Sequence, residues 1–273
     1  MNKTFTGRMF FGIAMLYLSV LCFLSADFIF GRPPVVTDLP ILAYLLGGVI
    51  GLSAIAVLMT PKNGALAALF IAVIILIFSF LIRYVPFFIR SVSFEKVLWG
   101  LNAFKTLAFV GGSLIVSASF FKDRVNDEPP FILNANTVHS LKVVGTVLIS
   151  IFLIMSGLAH FKYFDFVKSF IPEYIPFHEF FAPFTGVALV AGGVGLLLPP
   201  IRFWAALVTG GMLFSWFLLL HIPRFVANVH DQSDRLGLGE SLAFAGILLV
   251  LAGMSEKKVS HLPPATSTSA PEV

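Results

Sequence analysis

The chain has 273 residues, of which 58% are hydrophobic and only 12% charged, and its mean hydropathy is +0.96. This apolar content exceeds what a soluble core of this size buries and indicates an integral membrane protein in a lipid bilayer. The net charge of +4 is typical of basic loops beside anionic headgroups, and no nucleic-acid partner is expected. A single cysteine, Cys22, excludes an intrachain disulfide, a CxxC redox pair and an iron–sulfur cluster held by protein alone.

Apolar runs long enough to cross a bilayer, about 20 residues each, predict eight transmembrane helices and an all-α polytopic membrane protein. The first run follows Lys3 and Arg8, as in a secretion signal, but it continues to Phe30, so we expect this helix to be retained. Proline and glycine turns separate the runs. The eight predicted spans are 9–30, 41–59, 65–82, 97–119, 140–159, 180–198, 203–220 and 237–254.

The second half of the sequence repeats features of the first. Four segments match in order: Asp27-Phe28 with His160-Phe161, Pro61 with Pro199, FLIRYVPFFI (80–89) with FLLLHIPRFV (217–226), and KTLAF (105–109) with ESLAF (240–244). We therefore predict two tandem four-helix units, 1–119 and 140–254, joined by a polar connection, 120–139, and followed by a disordered polar tail, 255–273. Since four is an even number of helices, the units should share one orientation, related by an axis along the membrane normal.

In an up-and-down bundle, odd helices end where even helices begin, so the polar residues at these points gather at one membrane face. We expect them to form a polar vestibule, because an ionisable group near a span is costly unless it is paired or hydrated. Lys62 and Arg202 fall at the opposite face. The candidate site residues are Asp27, Tyr84, Lys105, His160, Glu179, His221, Arg224 and Glu240; Arg83, Arg90, Trp99 and His178 fall at the same face.

Glu240 is the least expected of these residues, because it begins an apolar helix at the place where the first unit has Lys105. Three interpretations are open: it is stabilised by the helix dipole, it pairs with Arg224 or His221 in a cluster that opens to a pocket, or it has a direct catalytic role. Arg224 is either a side chain extended to the membrane surface or a donor to an anion or carbonyl.

Four histidines, His160, His178, His221 and His230, lie at this face without HxxxH or HxH spacing. A zinc site would therefore have to be assembled from distant segments. We expect no metal and no haem ligated by His160 and His221.

The second unit resembles the DoxX family of small four-helix membrane proteins. The resemblance rests on Gly157-Leu-Ala-His160-Phe161, on Pro172 and Pro176, on the glycine-rich helix from Gly186 to Leu198 with Pro199 and Arg202, and on GESLAFAGILLVLAG (239–253). It covers about residues 140–254, and the first unit is similar to a diverged copy. Leu189 stands about where many members of this family have an acid.

The resemblance implies an accessory or quinone-facing subunit of a membrane redox system, since some relatives are the membrane subunit of thiosulfate:quinone oxidoreductase. No cofactor-binding motif is present, so a redox role needs a bound quinone or partner redox-enzyme subunits. Two alternatives remain: a small-solute transporter or binding protein with its site between the units, and a non-catalytic membrane partner or assembly factor. Homo-oligomers are compatible with each. We expect a plasma (inner) membrane location with both termini in the cytoplasm.

Overall fold

A computed structural model describes residues 2–30, 40–60, 63–90, 100–122 and 134–256. Within these stretches every regular element is a helix, and eight helices are long and apolar enough to cross a membrane. The predicted all-α architecture with eight spans is confirmed. The spans are α1 (Lys3–Ser25), α2 (Pro40–Met59), α3 (Gly64–Tyr84), α4 (Leu101–Phe121), α5 (Ala135–Lys162), α6 (His178–Leu197), α7 (Arg202–Ala227) and α8 (Gln232–Ser255).

Three spans begin at a polar residue that caps their first turn. The side chains of Asn2, Asn134 and Asp231 accept hydrogen bonds from backbone N–H groups at the starts of α1, α5 and α8. These contacts satisfy donors that have no partner within the helix itself.

The helices pack in chain order, and α8 returns to pack along α1. α4 and α5 make a similarly long contact, and α4 also touches α8. As a result α4 and α8 are the most enclosed spans, each 72% buried over its most apolar window, whereas α7 is only 22% buried there. Lys105 and Glu240, the fifth residue of α4 and the ninth of α8, therefore lie largely inside the protein. Because α8 begins at Gln232, Glu240 does not begin the helix as the sequence predicts.

Glycines allow the closest of these helix contacts. A Cβ atom at Gly7 of α1 would lie 2.5 Å from the carbonyl oxygen of Gly246 of α8, and one at Gly111 of α4 would lie 2.8 Å from that of Gly145 of α5. Backbone-to-backbone approach of this kind is a usual way for helices to associate in lipid, where apolar side chains gain little from leaving the solvent.

α3 and α7 each change to π-helical hydrogen bonding before a proline. The segments are Ile75–Tyr84 in α3 and Phe217–His221 in α7. At their ends the N–H of Val85 donates to the carbonyl of Phe80, and that of Ile222 to the carbonyl of Phe217. Because proline has no N–H to donate, the i→i+4 pattern is interrupted in both helices, and the wider turn re-aims the residues beside it, Tyr84 and His221.

At the opposite face, cations hold the ends of α4 and α8. Arg8 donates to the side chain and the carbonyl of Ser119 at 2.8 and 2.5 Å, and Lys142 donates to the carbonyl of Met254 at 3.3 Å. Positive charge at a helix C-terminus is favourable because the last carbonyls point there without partners.

α1 ends at Ser25, earlier than the predicted residue 30. Ala26 adopts a left-handed backbone, with φ of 49°, and this turn ends the helix. Phe28, Ile29 and Phe30 then fold into the protein, where each is at most 5% exposed. Of the predicted connection, residues 120–121 lie in α4 and residues 135–139 in α5, so the connection is shorter than predicted. Residues 123–133 fall outside the described residues, as do Pro61, Lys62, Trp99 and residues 257–273 of the predicted tail.

Candidate functional site

Lys105 and Glu240 form an ion pair across the contact between α4 and α8. The ammonium nitrogen of Lys105 lies 2.8 Å from one carboxylate oxygen of Glu240 and 2.9 Å from the other. Both side chains are mostly enclosed, with 25% and 18% exposed. The sequence comparison predicts matching positions for these two residues, and the structure brings them into direct contact.

Two cavities adjoin the ion pair, and both residues line both cavities. The first-half cavity measures about 180 Å³ and is lined by Leu18, Ile29, Phe30, Asn102, Lys105, Thr106, Phe109, Ser233, Leu236 and Glu240. The second-half cavity measures about 240 Å³ and is lined by Leu101, Lys105, Phe152, Leu153, Ser156, Ala159, His160, Tyr163, Phe166, Val167, Leu189, Leu213, Trp216, His221, Gly237, Glu240, Ser241 and Phe244. Lys105 and Glu240 therefore form a wall that the two cavities share.

The second-half cavity is polar near the membrane face and apolar below it. The polar end has the ion pair, His160, Tyr163 and His221, all close to helix ends at that face. The deeper part has Phe152, Leu153, Leu189, Leu213 and Phe244, with the rings of Phe152 and Phe244 stacked 4.9 Å apart. A cavity built in this way suits a molecule with one polar end and an apolar body.

His221 reaches the cavity through a gap left by a glycine. A Cβ atom at Gly237 of α8 would lie 2.6 Å from Nδ1 of His221, so only glycine permits this contact. Among the described residues the His221 ring has no hydrogen-bond partner. It is therefore available to donate to or accept from a molecule in the cavity.

His160 is held more firmly than His221. Its Nδ1 lies 2.8 Å from the carbonyl of Ser156 one turn earlier, and its ring stacks beside that of Trp216 at 6.3 Å. A carbonyl accepts only from a protonated nitrogen, so Nδ1 carries a proton and Nε2 is the other donor or acceptor. His160 and His221 thus line one cavity together with Trp216, whereas His178 and His230 do not line it.

Asp27 and Tyr84 belong to the first-half side of the ion pair. Asp27 lies 3.5 Å from the guanidinium of Arg83, which also donates to the carbonyl of Phe28 at 3.0 Å. The buried Tyr84 forms a hydrogen bond with the side chain of Thr106. These contacts hold the segment after α1 in place.

Arg224 does not pair with Glu240, so the prediction of that pair is wrong, whereas His221, the other predicted neighbour, lines the second-half cavity together with Glu240. Its Nε donates to Asp234 at 2.7 Å, while another nitrogen donates to the carbonyl of Phe170 and the guanidinium lies over the Phe170 ring at 4.4 Å. Asp234 lies in the first turn of α8, nearer to the end of α7 than Glu240 is. The dipole explanation is also insufficient for Glu240, because Lys105 neutralises it directly.

Loss of the Asp234 carboxylate is expected to destabilise the protein. Asp234 is 3% exposed, and Asp234→Ala would leave Arg224 in a partly buried place without its anion, at a cost of about 2 kcal/mol. The measurement is thermal unfolding in detergent. Glu179→Gln is the matched control, since Glu179 is 83% exposed and its nearest cation, Lys168, is 3.7 Å away. Equal effects of the two variants would contradict the assignment.

Of the eight predicted site residues, Asp27, Tyr84, Glu179 and Arg224 line neither of the two cavities. Glu179 is solvated, with its side chain 83% exposed beside Lys168. Among the residues that the structure describes, no group of three His, Cys, Asp or Glu side chains could hold a metal ion.

Sequence reasoning missed Asp234, Phe30 and Asn102. Asp234 lies in a polar stretch, DQSDRLGLGE (231–240), that contains three acids. The sequence does not indicate which of the three forms an ion pair with Arg224. The apolar run continues through Phe30, so the sequence predicts that Phe30 belongs to the first helix and gives no signal of its inward position. Thr106 and Ser241 had a visible signal, because KTLAF and ESLAF share a hydroxyl at that place.

Comparison with known proteins adds one match. The profile of a family described as "Domain of unknown function (DUF8561)" matches residues 149–249, from the middle of α5 into α8 and a little over a third of the chain. No curated protein and no solved structure matches the chain.

Proposed function

We propose that this protein binds a lipid-soluble amphiphile in the second-half cavity, and that it is an accessory or quinone-facing subunit of a membrane redox system. The observation that carries the proposal is the shape of this cavity, which joins an apolar wall to a polar end. Quinones match both parts, since a flat ring with carbonyl oxygens continues into an apolar tail.

The polar end offers donors of the kind that a carbonyl accepts. Lys105 carries N–H groups that its contact with Glu240 does not exhaust, and His221 is without a protein partner in the described residues. Trp216 and Phe244 line the same cavity and can pack against a ring. Partner enzyme subunits would supply the electrons that this chain has no motif to carry.

The two-unit organisation is part of the proposal. It is supported by the resemblance of the second unit to DoxX proteins, by the family match, which lies inside that unit, and by the two π-helical segments before Pro86 and Pro223. We also propose the plasma membrane with both termini inside, which the basic residues Lys3 and Arg8 near the N-terminus favour.

Binding is favoured over transport by the packing beneath the ion pair. Below Lys105 and Glu240, the rings of Phe109 and Phe244 meet with centroids 4.8 Å apart, and Gly112 lies against Ile247. This packing closes the centre of the protein between α4 and α8. A solute at the ion pair would have to separate two buried helices in order to continue.

Tryptophan fluorescence tests the proposal. Trp216 lines the second-half cavity, while Trp204 is 62% exposed on α7. With Trp99 and Trp204 replaced by phenylalanine, we expect ubiquinone-1 to quench Trp216 saturably, with one site per chain. His221→Ala should weaken binding about tenfold, as expected for loss of one hydrogen bond of about 1.4 kcal/mol.

The matched control keeps Trp204 as the only tryptophan, and there quenching should rise linearly with quinone in the micelle. Equal, non-saturating quenching of both reporters would mean that the quinone only dissolves in detergent, and the proposal would fail.

A further inference from the structure

The contact between α4 and α8 pairs matching positions of the two halves with each other. Lys105 meets Glu240, Phe109 meets Phe244, and Gly112 meets Ile247. The members of each pair are separated in the sequence by the same interval. A position meets its own counterpart only at a two-fold axis, so these three pairs place a local two-fold axis between α4 and α8.

Contacts away from α4 and α8 follow the same symmetry. Gly111 meets Gly145 across α4 and α5, and Gly246, the counterpart of Gly111, meets Gly7 across α8 and α1. In this register Gly7 of α1 corresponds to Gly145 of α5. The register then matches Leu18 with Ser156, and Cys22 with His160.

The contacts of α2 and α6 agree with this register. A Cβ atom at Gly47 would lie 2.8 Å from Cβ of Cys22, and one at Gly186 would lie 2.9 Å from Cβ of His160. Cys22 is thus the counterpart of His160, whereas the sequence comparison matches Asp27 with His160.

The two cavities are therefore counterparts. Leu18, Thr106, Phe109 and Leu236 line the first-half cavity, and their counterparts Ser156, Ser241, Phe244 and Leu101 line the second-half cavity. Lys105 and Glu240 lie between the two cavities, and the two-fold axis relates each of these residues to the other. The chain therefore contains two copies of the same cavity, one in each half.

The two copies differ in the segment that follows the first helix of each half. In the second half this segment is the short helix Phe164–Ser169, where Phe166 is 64% exposed at the edge of the cavity. In the first half it is Phe28–Phe30, which is folded inward. The Phe30 ring meets that of Phe109 edge-on at 5.5 Å, and the Phe30 carbonyl accepts from Thr106 at 2.8 Å.

We propose that the first half contains a second copy of the amphiphile site, closed by the chain's own segment Phe28–Phe30. Phe30 presents a carbonyl to the hydroxyl of Thr106 and a ring to Phe109. The ligand of the second half places a carbonyl at Ser241 and a ring at Phe244 in the same way. The identity of this ligand rests on the proposed function.

The Ser241 hydroxyl is suited to this role. It lies 3.1 Å from the carbonyl of Leu238 in its own helix, as Thr106 lies 2.9 Å from that of Asn102. Thr106 has a second acceptor, the Phe30 carbonyl, and Ser241 has none among the described residues. A carbonyl-bearing ligand completes the second half in the way that Phe30 completes the first.

Counting bound ubiquinone-1 by equilibrium dialysis tests the proposal on the full chain. We expect one site per chain in the wild type and two in Phe30→Ala, with Thr106→Val abolishing the added site only. Phe11→Ala is the matched control, because Phe11 is fully buried and lines neither cavity, and it should keep one site. One site in folded Phe30→Ala would overturn the inference and leave the proposed function intact.

Cysteine labelling provides a readout that needs no quinone. In a Cys22→Ala background, which contains no other cysteine, Ser156→Cys should react quickly with methyl methanethiosulfonate. Leu18→Cys, its counterpart, should react at least tenfold more slowly and reach the faster rate when Phe30→Ala is added. Should Phe30→Ala not fold, Phe30→Leu should give about a threefold gain.

Equally fast labelling at both positions with Phe30 intact would show that nothing closes the first-half site, and the inference would fail. If the wild type binds no quinone, the proposed function fails, and the labelling still decides whether Phe30 closes the first-half cavity.

Discussion

Lys105→Glu is expected to lower the stability of the protein by about 2–3 kcal/mol or more, because it places a second carboxylate against Glu240 in a largely enclosed contact. We take the lower part of the range known for buried pairs, since both side chains keep some exposure to solvent. In a chain of this size the melting temperature should fall by about 5–10 °C. Thermal unfolding in detergent, followed by circular dichroism, measures it.

The exchange of the two charges is the decisive control. Lys105→Glu combined with Glu240→Lys restores an ion pair at the same place, and we expect it to recover most of the loss. If the double variant is as unstable as the two single variants together, the charges act separately and the pair does not hold α4 against α8.

Gly145→Ala should have an effect of similar size for a steric reason. The added methyl would overlap the carbonyl oxygen of Gly111, a backbone atom that moves only if α4 and α5 separate. Overpacking of this kind costs about 1–3 kcal/mol, and Gly7→Ala at the α1–α8 contact should behave in the same way. The destabilisation would be measured as a lower melting temperature and as a loss of monodispersity in gel filtration.

Gly211→Ala is the matched control for these substitutions. Gly211 is also inside a transmembrane helix, α7, but nothing lies within 4 Å of the place where a methyl would be added. Alanine is the better helix former by about 1 kcal/mol, so this variant should be neutral or more stable. A loss at Gly211 equal to that at Gly145 would show that the cost is not one of helix contact.

The sequence predicted the spans because hydropathy and length decide them. Their ends were harder to predict. α7 extends to Ala227, past Pro223, where the sequence favoured an end near residue 220. The π-helical turn at Phe217–His221 explains the difference, since it accommodates a proline without ending the helix. Ala26 ends α1 early by adopting a left-handed backbone conformation. The sequence gives no signal of this turn, because alanine rarely adopts that conformation.

The sequence predicts which residues belong to the candidate site better than it predicts which of them contact each other. The sequence comparison predicts that Lys105 and Glu240 are equivalent, but equivalence does not say whether two positions are far apart or in contact. That depends on where the symmetry axis runs, which is a property of helix packing. Asp234 was missed for a related reason, because three acids in one stretch are indistinguishable until the end of α7 is placed beside one of them.

Under the two-unit organisation proposed above, the ion pair at the α4–α8 contact also bears on how such a chain could arise. In an assembly of two identical four-helix chains, a residue on the shared axis meets a copy of itself, so a lysine would face a lysine and a glutamate a glutamate. Only after both units are encoded in one chain can the two copies mutate separately and acquire opposite signs. Once they have done so, neither half can replace the other: residues 140–254 alone, paired with themselves, would bring Glu240 against Glu240. The salt bridge thus makes the joining of the halves hard to reverse.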